Sequence, residues 1–542
     1  MFVLNLCATG TVDGTCTCEP ITPSSQYKCC RPKPPTPKTS NATGFATVGL
    51  ARTGYAGREH DAGAQLLRAT SPEGFINLDG TDYTIGGLTG QTNFAFVNDS
   101  LLGTLYSAPG NVFTYKTHRT GGAPAPRFAW TPGMRFSDTA ASWPPKGVSL
   151  EIDFTAPACA PVEHQSVVVT VVYTLYDGLP VYEKHIVVAN RGGTKTVVVQ
   201  NLTTDVLYAT SEALGYFPSI IRGSITASTA SGRIQMTSEM TRGGDAGPDG
   251  IMRGTTMLDP DGRCQTCSYE SRGVQFLASQ YPIGPGAEVG PAGFHGTNFS
   301  SYHTYVLLHD TDDSERQGLA VRKMYRTLAP QITENPIFMH LTDVSMAGII
   351  KAVDQCVTVG FEMIIMSFGS GLNMENKDPA YIQMVAKYVA YAHSKNISIG
   401  GYNLMSSSRT VDPGGNCIGP DGHPDGASCL ASSWSDDYFE TIKNFIVQTN
   451  FDMIETDGPY EGHRCQSTTH SHHVGEADSA WTQYERNMEF YAWCKARGMY
   501  IHAPDPFYMR GINKNGMGYV GRNPPLATKN LLEVTDGLRR PP

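Results

Sequence analysis

From about Pro336 to Ala503 the chain alternates short apolar runs with longer stretches whose apolar residues recur every three or four positions. That rhythm limits the fold more than any other feature, because a strand–helix repeat buries its apolar faces only by building a parallel sheet covered by its own crossover helices. The first run is Pro336–His340. Ser345 then caps a helix with Ile349, Val353 and Cys356 inward, and Gly360 stops it. Met363–Phe368 is a continuous apolar strand, as a sheet buried on both faces requires. Asp378-Pro379 starts a second helix with Ile382, Val385, Val389 and Ala392 on one stripe. Ile397–Tyr402 is the third strand, and Ser435 caps a helix with Phe439, Ile442 and Ile446 inward. Phe451–Asp457 is the fourth strand. A helix over 478–497 carries Trp481, Tyr484, Met488 and Tyr491 and stops at Gly498, and Tyr500–Ala503 is the fifth strand.

Five such units predict a TIM-type (β/α) barrel over 332–542. An open doubly wound sheet is the alternative, although no G-x-G-x-x-G loop follows the first strand. A full barrel takes about 250 residues, whereas only 37 residues follow Asp505. The expectation is an incomplete barrel with its first five strands only.

Upstream, over 45–331, short β-branched and aromatic runs are separated by Gly, Pro, Asn and Asp, which predicts an antiparallel β-sandwich. Its clearest hairpin runs through Val172, turns at Asp177-Gly178-Leu179-Pro180 and returns over Val181–Val188. Residues 1–44 are Cys-rich and then Pro/Lys-rich, a small disulfide knot or disordered arm with a linker. The fold class is therefore multidomain, β followed by α/β.

Only 17% of residues are charged, with 50 acidic against 41 basic and no long basic run, so neither nucleic acid nor an anionic membrane surface is an expected partner. No stretch reaches the roughly 18 apolar residues of a membrane span. Thirteen cysteines and sequons at Asn41, Asn98, Asn201, Asn298 and Asn396 favour a secreted protein or one of the endomembrane lumen, although no signal peptide is evident at the start.

The strand Phe451–Asp457 carries the sharpest chemical signal. Its period of two puts Met453, Glu455 and Asp457 on one face, and the last two fall at the C-terminal mouth, where barrel enzymes keep their active sites. Two carboxylates at i and i+2 on a buried strand are costly unless they bind a cation, share a proton or meet a polar ligand; rim Arg, Lys or backbone N–H partners are the plain structural alternative. Asp343, Tyr402, Tyr460, His463 and Asp505 follow strand ends too, as do Phe507 and Tyr508, whose rings are candidates for stacking on sugar faces.

FDMIETDGPY, the hairpin YTLYDGLPVYEKHIVVAN and the order of sandwich before barrel resemble the α-galactosidase-like glycoside hydrolases, over roughly residues 150–520. HRCQSTTHSHHVGEADSAWTQY and NKNGMGY look like a group of secreted members of that superfamily. In that superfamily the fourth strand ends in Lys-x-Asp, the Asp forming the glycosyl-enzyme and the Lys touching sugar hydroxyls. Asp457 matches the nucleophile, and Glu455 stands where the Lys would be. The resemblance implies a retaining glycosidase acting on a glycoside or glycan, and the strand-end positions of Asp343, Tyr402, Tyr460 and His463, with Glu455, make these the expected substrate-binding residues. The superfamily's acid/base comes from the sixth strand, so here Asp505 is the possible second carboxylate. A non-catalytic carbohydrate-binding glycoprotein and a truncated inactive glycosidase are the alternatives.

Other signals are weaker. His470, His472 and His473 with Cys465 and Glu476 fit no standard zinc spacing, and Cys264-x-x-Cys267 lacks a second pair, so neither a metal nor a cofactor is expected. Cys417 and Cys429 enclose a short loop and are the expected disulfide.

Overall fold

The computed structural model describes chiefly residues 73–86, 111–210, 274–310 and 313–515, with short interruptions at 134–136, 282–283, 311–312, 408 and 459–461, together with 4–5, 47–48, 218–221, 224–227, 234–240 and 255–258. Most of the N-terminal arm, Cys264, Cys267 and Tyr460 lie outside the described residues. The chain forms two compact units. Their division is not a single cut at 332: Ala125–Lys146 and Glu239–Arg253 belong with the C-terminal unit, which otherwise begins at Ser314.

Among the described residues the first unit is chiefly one sheet of fifteen strands, thirteen along one hydrogen-bonded path and two paired beside it, antiparallel except where Thr81–Ile85 meets Val112–Gly122. The expected hairpin pairs Val168–Tyr176 with Val181–Ala189, and Gly178 takes φ 71° in the turn. Both strands are buried along nearly their whole length, so the sheet is covered on both faces. Lys184 on the hairpin meets Asp205 on Val197–Thr210, a strand from the other end of the path, which places two stretches of the curled sheet face to face.

The second unit contains a parallel sheet of six strands in sequential order: β1 (Phe338–Leu341), β2 (Met363–Met366), β3 (Ser398–Leu404), β4 (Met453–Asp457), β5 (Tyr500–Ala503) and β6 (Lys514–Asn515). Every connection leads to the neighbouring strand, which is the winding of a barrel; a doubly wound sheet reverses direction partway. β6 corrects the expectation of five strands. It follows β5 after one 3₁₀ turn at Tyr508–Arg510 rather than a helix, so no long amphipathic stretch announces it.

The helices between the first five strands are α1 (Met346–Val359), α2 (Pro379–Ser394), α3 (Ser433–Thr449) and α4 (Glu476–Ala496). Ser345 caps α1 by accepting the Gly348 N–H, and Gly360 ends it in the left-handed region at φ 82°. Asp378 accepts the Ala380 N–H ahead of Pro379. α3 starts earlier than expected, with Ser432 at the cap position. Ser435 lies inside the helix and donates to the Leu430 and Ser432 carbonyls. Phe338, Met363, Ile365, Met453 and Tyr500 form an apolar floor on one sheet face. The period of two then puts Glu455 and Asp457 above that floor, toward the strand ends.

Candidate active site

Strand register assembles the site. Tyr402, Glu455, His502 and Lys514 are successive in-register partners across β3, β4, β5 and β6, one polar row above the apolar floor. Glu455 is only 2% exposed. A carboxylate so deeply desolvated needs charge or hydrogen bonds in compensation. His502 Nδ1 lies 3.0 Å from it, out of line for a hydrogen bond, and His340 Nδ1 lies 3.9 Å away. Burial holds the His340 imidazole below its ordinary range against the pull of Glu455, with His502 and Lys514 adding to the depression. Burial likewise lowers the Lys514 ammonium, which sits 4.6 Å above the Phe338 ring. His340 Nδ1 also reaches Ser367 Oγ at 3.0 Å.

Asp457 closes β4 and is half-exposed. The Tyr402 hydroxyl donates to its Oδ2 at 2.7 Å, which fixes the carboxylate on the polar row. A charge-assisted bond of this kind contributes about 1.5–3 kcal/mol. Gly458 follows at φ 83°, and a Cβ there would lie 2.6 Å from the Ser407 nitrogen. Only glycine allows both that turn and that approach. The Gly458 carbonyl accepts from the Ser407 N–H at 3.1 Å and from its hydroxyl at 3.0 Å. Ser407 Oγ in turn lies 2.9 Å from His463 Nε2, and Gln483 holds the His463 carbonyl. The loops after β3 and β4 are thus tied together beside Asp457. Arg409 anchors the first of them: it donates to the Leu404 carbonyl at 2.7 Å, pairs with Glu375 and lies 5.0 Å above the rings of Trp434 and Tyr438.

The other expected residues fall differently. Asp343 is exposed and accepts the Ser345 N–H at 3.1 Å in the turn before α1; bonds to Ser345 hold its carboxyl below the usual range. Asp505 is fully buried, as are Phe507 and Tyr508, and Tyr508 packs edge-on against Tyr325. These two rings are core, which corrects their reading as sugar platforms. Phe368 is the exposed ring near the site. It lies just past β2, is 60% exposed and packs edge-on against Tyr402 at 5.4 Å. The sequence placed it inside the strand; the Gly369 after it was the available sign of a strand end.

Cys417 and Cys429 are both free thiols, which corrects the expected disulfide. The reason lies in a third cysteine: Cys465 joins them in one buried cluster. His470 and His473 approach the same cluster, and Cys429, Cys465, His470 and His473 form an arrangement suited to a metal ion among the described residues. His472 turns away to Asp436, and Glu476 bonds Gln466.

No family model and no curated protein matches the chain in sequence. Its fold is the α-galactosidase-like fold of the glycoside hydrolases. The α-galactosidase of Lactobacillus brevis superposes with a TM-score of 0.51 at 12% identity, over 76% of this chain and 60% of that enzyme. A double variant of the family 36 α-galactosidase from Geobacillus stearothermophilus, in complex with stachyose, gives 0.51 at 12% identity over 88% of this chain and 74% of its own. The chain therefore spans about 60% of the length of the first of these enzymes.

Proposed function

We propose that this protein is a glycoside hydrolase that cleaves O-glycosidic bonds of a glycoside or glycan by a retaining route, with Asp457 as the nucleophile. The observation carrying the reading is the place and setting of Asp457: the C-terminal end of the fourth parallel strand, half-exposed, and steered by the Tyr402 hydroxyl at 2.7 Å. In this reading Asp457 attacks the anomeric carbon, the leaving oxygen takes a proton from a general acid, and water then hydrolyses the glycosyl ester. Glu455 lies below in the polar row, only 2% exposed with His502 and His340 beside it, so it shapes the charge beneath Asp457 rather than meeting substrate directly, which corrects its expected place among the substrate-binding residues. Phe368 offers an exposed ring to an apolar sugar face, and Ser407 with His463 lies beside Gly458 next to Asp457.

Asp505, fully buried, does not fit the part of an open general acid. That observation favours a second reading, a carbohydrate-binding protein without turnover. The experiment separating them is hydrolysis of aryl α- and β-glycosides, with α-galactosides first because a structural neighbour was solved with stachyose. Turnover by the wild type and its loss in Asp457→Asn supports the enzyme; saturable sugar binding by calorimetry without turnover supports the second reading. Asn201, Asn298 and Asn396 are exposed, which supports a glycosylating, extracytoplasmic setting.

A further inference from the structure

Cys429, Cys465, His470 and His473 offer four ligand atoms that all lie within 4.8 Å of one another. They come from two loops at the mouth end of the sheet: Cys429 closes the short hairpin of Asn416–Ile418 with Pro424–Ser428 after β3, and the other three lie between β4 and α4. We propose that these four residues form a structural zinc site that staples the two loops.

Two of the ligand spacings match those around one ion, and the other pairs lie within 4.8 Å. Zn–S of about 2.3 Å and Zn–N of about 2.0–2.1 Å imply tetrahedral edges of about 3.6 Å between S and N and about 3.3 Å between two N atoms. Cys465 Sγ lies 3.5 Å from His470 Nδ1, and that nitrogen lies 3.0 Å from His473 Nε2. The surroundings are those of a ligand set. His473 Nδ1 faces the Gly475 carbonyl at 3.0 Å, which fixes the tautomer that leaves Nε2 with its lone pair toward the cluster. The Ile418 N–H donates to Cys465 Sγ at 3.3 Å, and the Cys465 N–H donates to Ser479 Oγ at 3.0 Å. Cys429, Cys465 and His473 are 0–1% exposed. Four protein ligands leave no open position, so the ion is structural. Binding takes the two thiols to thiolates and releases about two protons per zinc. The staple holds in register the loops that carry Ser407 and His463, and it does not depend on the glycosidase reading.

The test is elemental analysis of the full chain purified with zinc present. About one zinc per chain is expected. Cys465→Ser and His473→Ala should each lower that at least five-fold, while His472→Ala, whose ring pairs with Asp436, keeps it. To read the site without depending on the folding of these variants, the wild type is also loaded with cobalt(II), and thiolate-to-cobalt charge-transfer and tetrahedral d–d bands are expected. Peptide mapping after alkylation without reductant supplies the rival outcome. A disulfide that consumes Cys429 or Cys465, zinc well below one per chain, or full zinc retention in folded Cys465→Ser and His473→Ala would overturn the proposal.

Discussion

Replacing Lys184 by Met tests the electrostatics that hold the β-rich unit together. The ammonium is fully buried, 2.8 Å from Asp205 and 3.0 Å from Glu73, and it also donates to the Glu73 backbone carbonyl at 2.7 Å. The Tyr173 and Tyr182 hydroxyls complete the network on Glu73 and Asp205. Burial alone would lower the lysine, but the two carboxylates overturn that and hold it above its ordinary range. Methionine keeps the apolar stem and deletes the charge, leaving two carboxylates buried together. Breaking a buried pair from one side costs about 3–5 kcal/mol, or a fall of roughly 6–20 °C in the melting temperature of a unit this size. Differential scanning calorimetry on wild type and variant measures it. The sign with pH follows from the raised folded value. The lysine's contribution is complete below the unfolded value of about 10.4 and is lost as pH rises through the folded one. The gap between the proteins should hold from pH 7 to 9 and narrow above about 10.4. Replacing Glu73 and Asp205 by Leu in the Lys184→Met background should recover most of the loss. A deficit under about 1 kcal/mol, or no recovery in the triple variant, would refute the electrostatic account and leave packing as the cause.

Arg510 is the matching case in the second unit. It is buried over the Tyr484 ring, bonded to Glu485 at 2.9 Å and 3.4 Å from Glu239, so Arg510→Met should cost about 3–5 kcal/mol in denaturant titration. Burial lowers His309 to about 4, so acidification from about pH 6.5 toward 4 should cost stability that His309→Gln retains. The effect is at most about 3 kcal/mol before solvent screening of this half-buried ring, and equal acid sensitivity in the two proteins would rule it out. Gly458→Ala forces a left-handed alanine against Ser407 and should lose at least about 1–2 kcal/mol in thermal unfolding, with weaker sugar binding in calorimetry as the Ser407–His463 contact shifts.

The strand–helix alternation was legible because each helix carries its own punctuation: Ser345 and Gly360 around α1, Asp378-Pro379 before α2, and Gly498 after α4. The shared face of Met453, Glu455 and Asp457 follows from the strand period alone, and the structure gives all three the expected places on β4. What surrounds them was not legible. His502 and Lys514 join Glu455 through register between strands, which no local pattern encodes, and β6 is two polar residues without an apolar run. Ser432 and Ser435 both fit a helix start, and only the hydrogen bonds of Ser435 to carbonyls place it inside α3. Cys417 and Cys429 suggested a disulfide because they are near in sequence, whereas Cys465, His470 and His473 reach the same cluster from a separate loop.

The most direct test of the central claim is to trap the intermediate. The chain is incubated with 2-deoxy-2-fluoroglycosyl fluorides of the sugars it hydrolyses, digested, and mapped by mass spectrometry. The account predicts one fluoroglycosyl ester, on the peptide carrying Asp457, with time-dependent inactivation that Asp457→Asn abolishes. An ester on another carboxylate, or hydrolysis that proceeds with inversion at the anomeric carbon and leaves no ester, would contradict it.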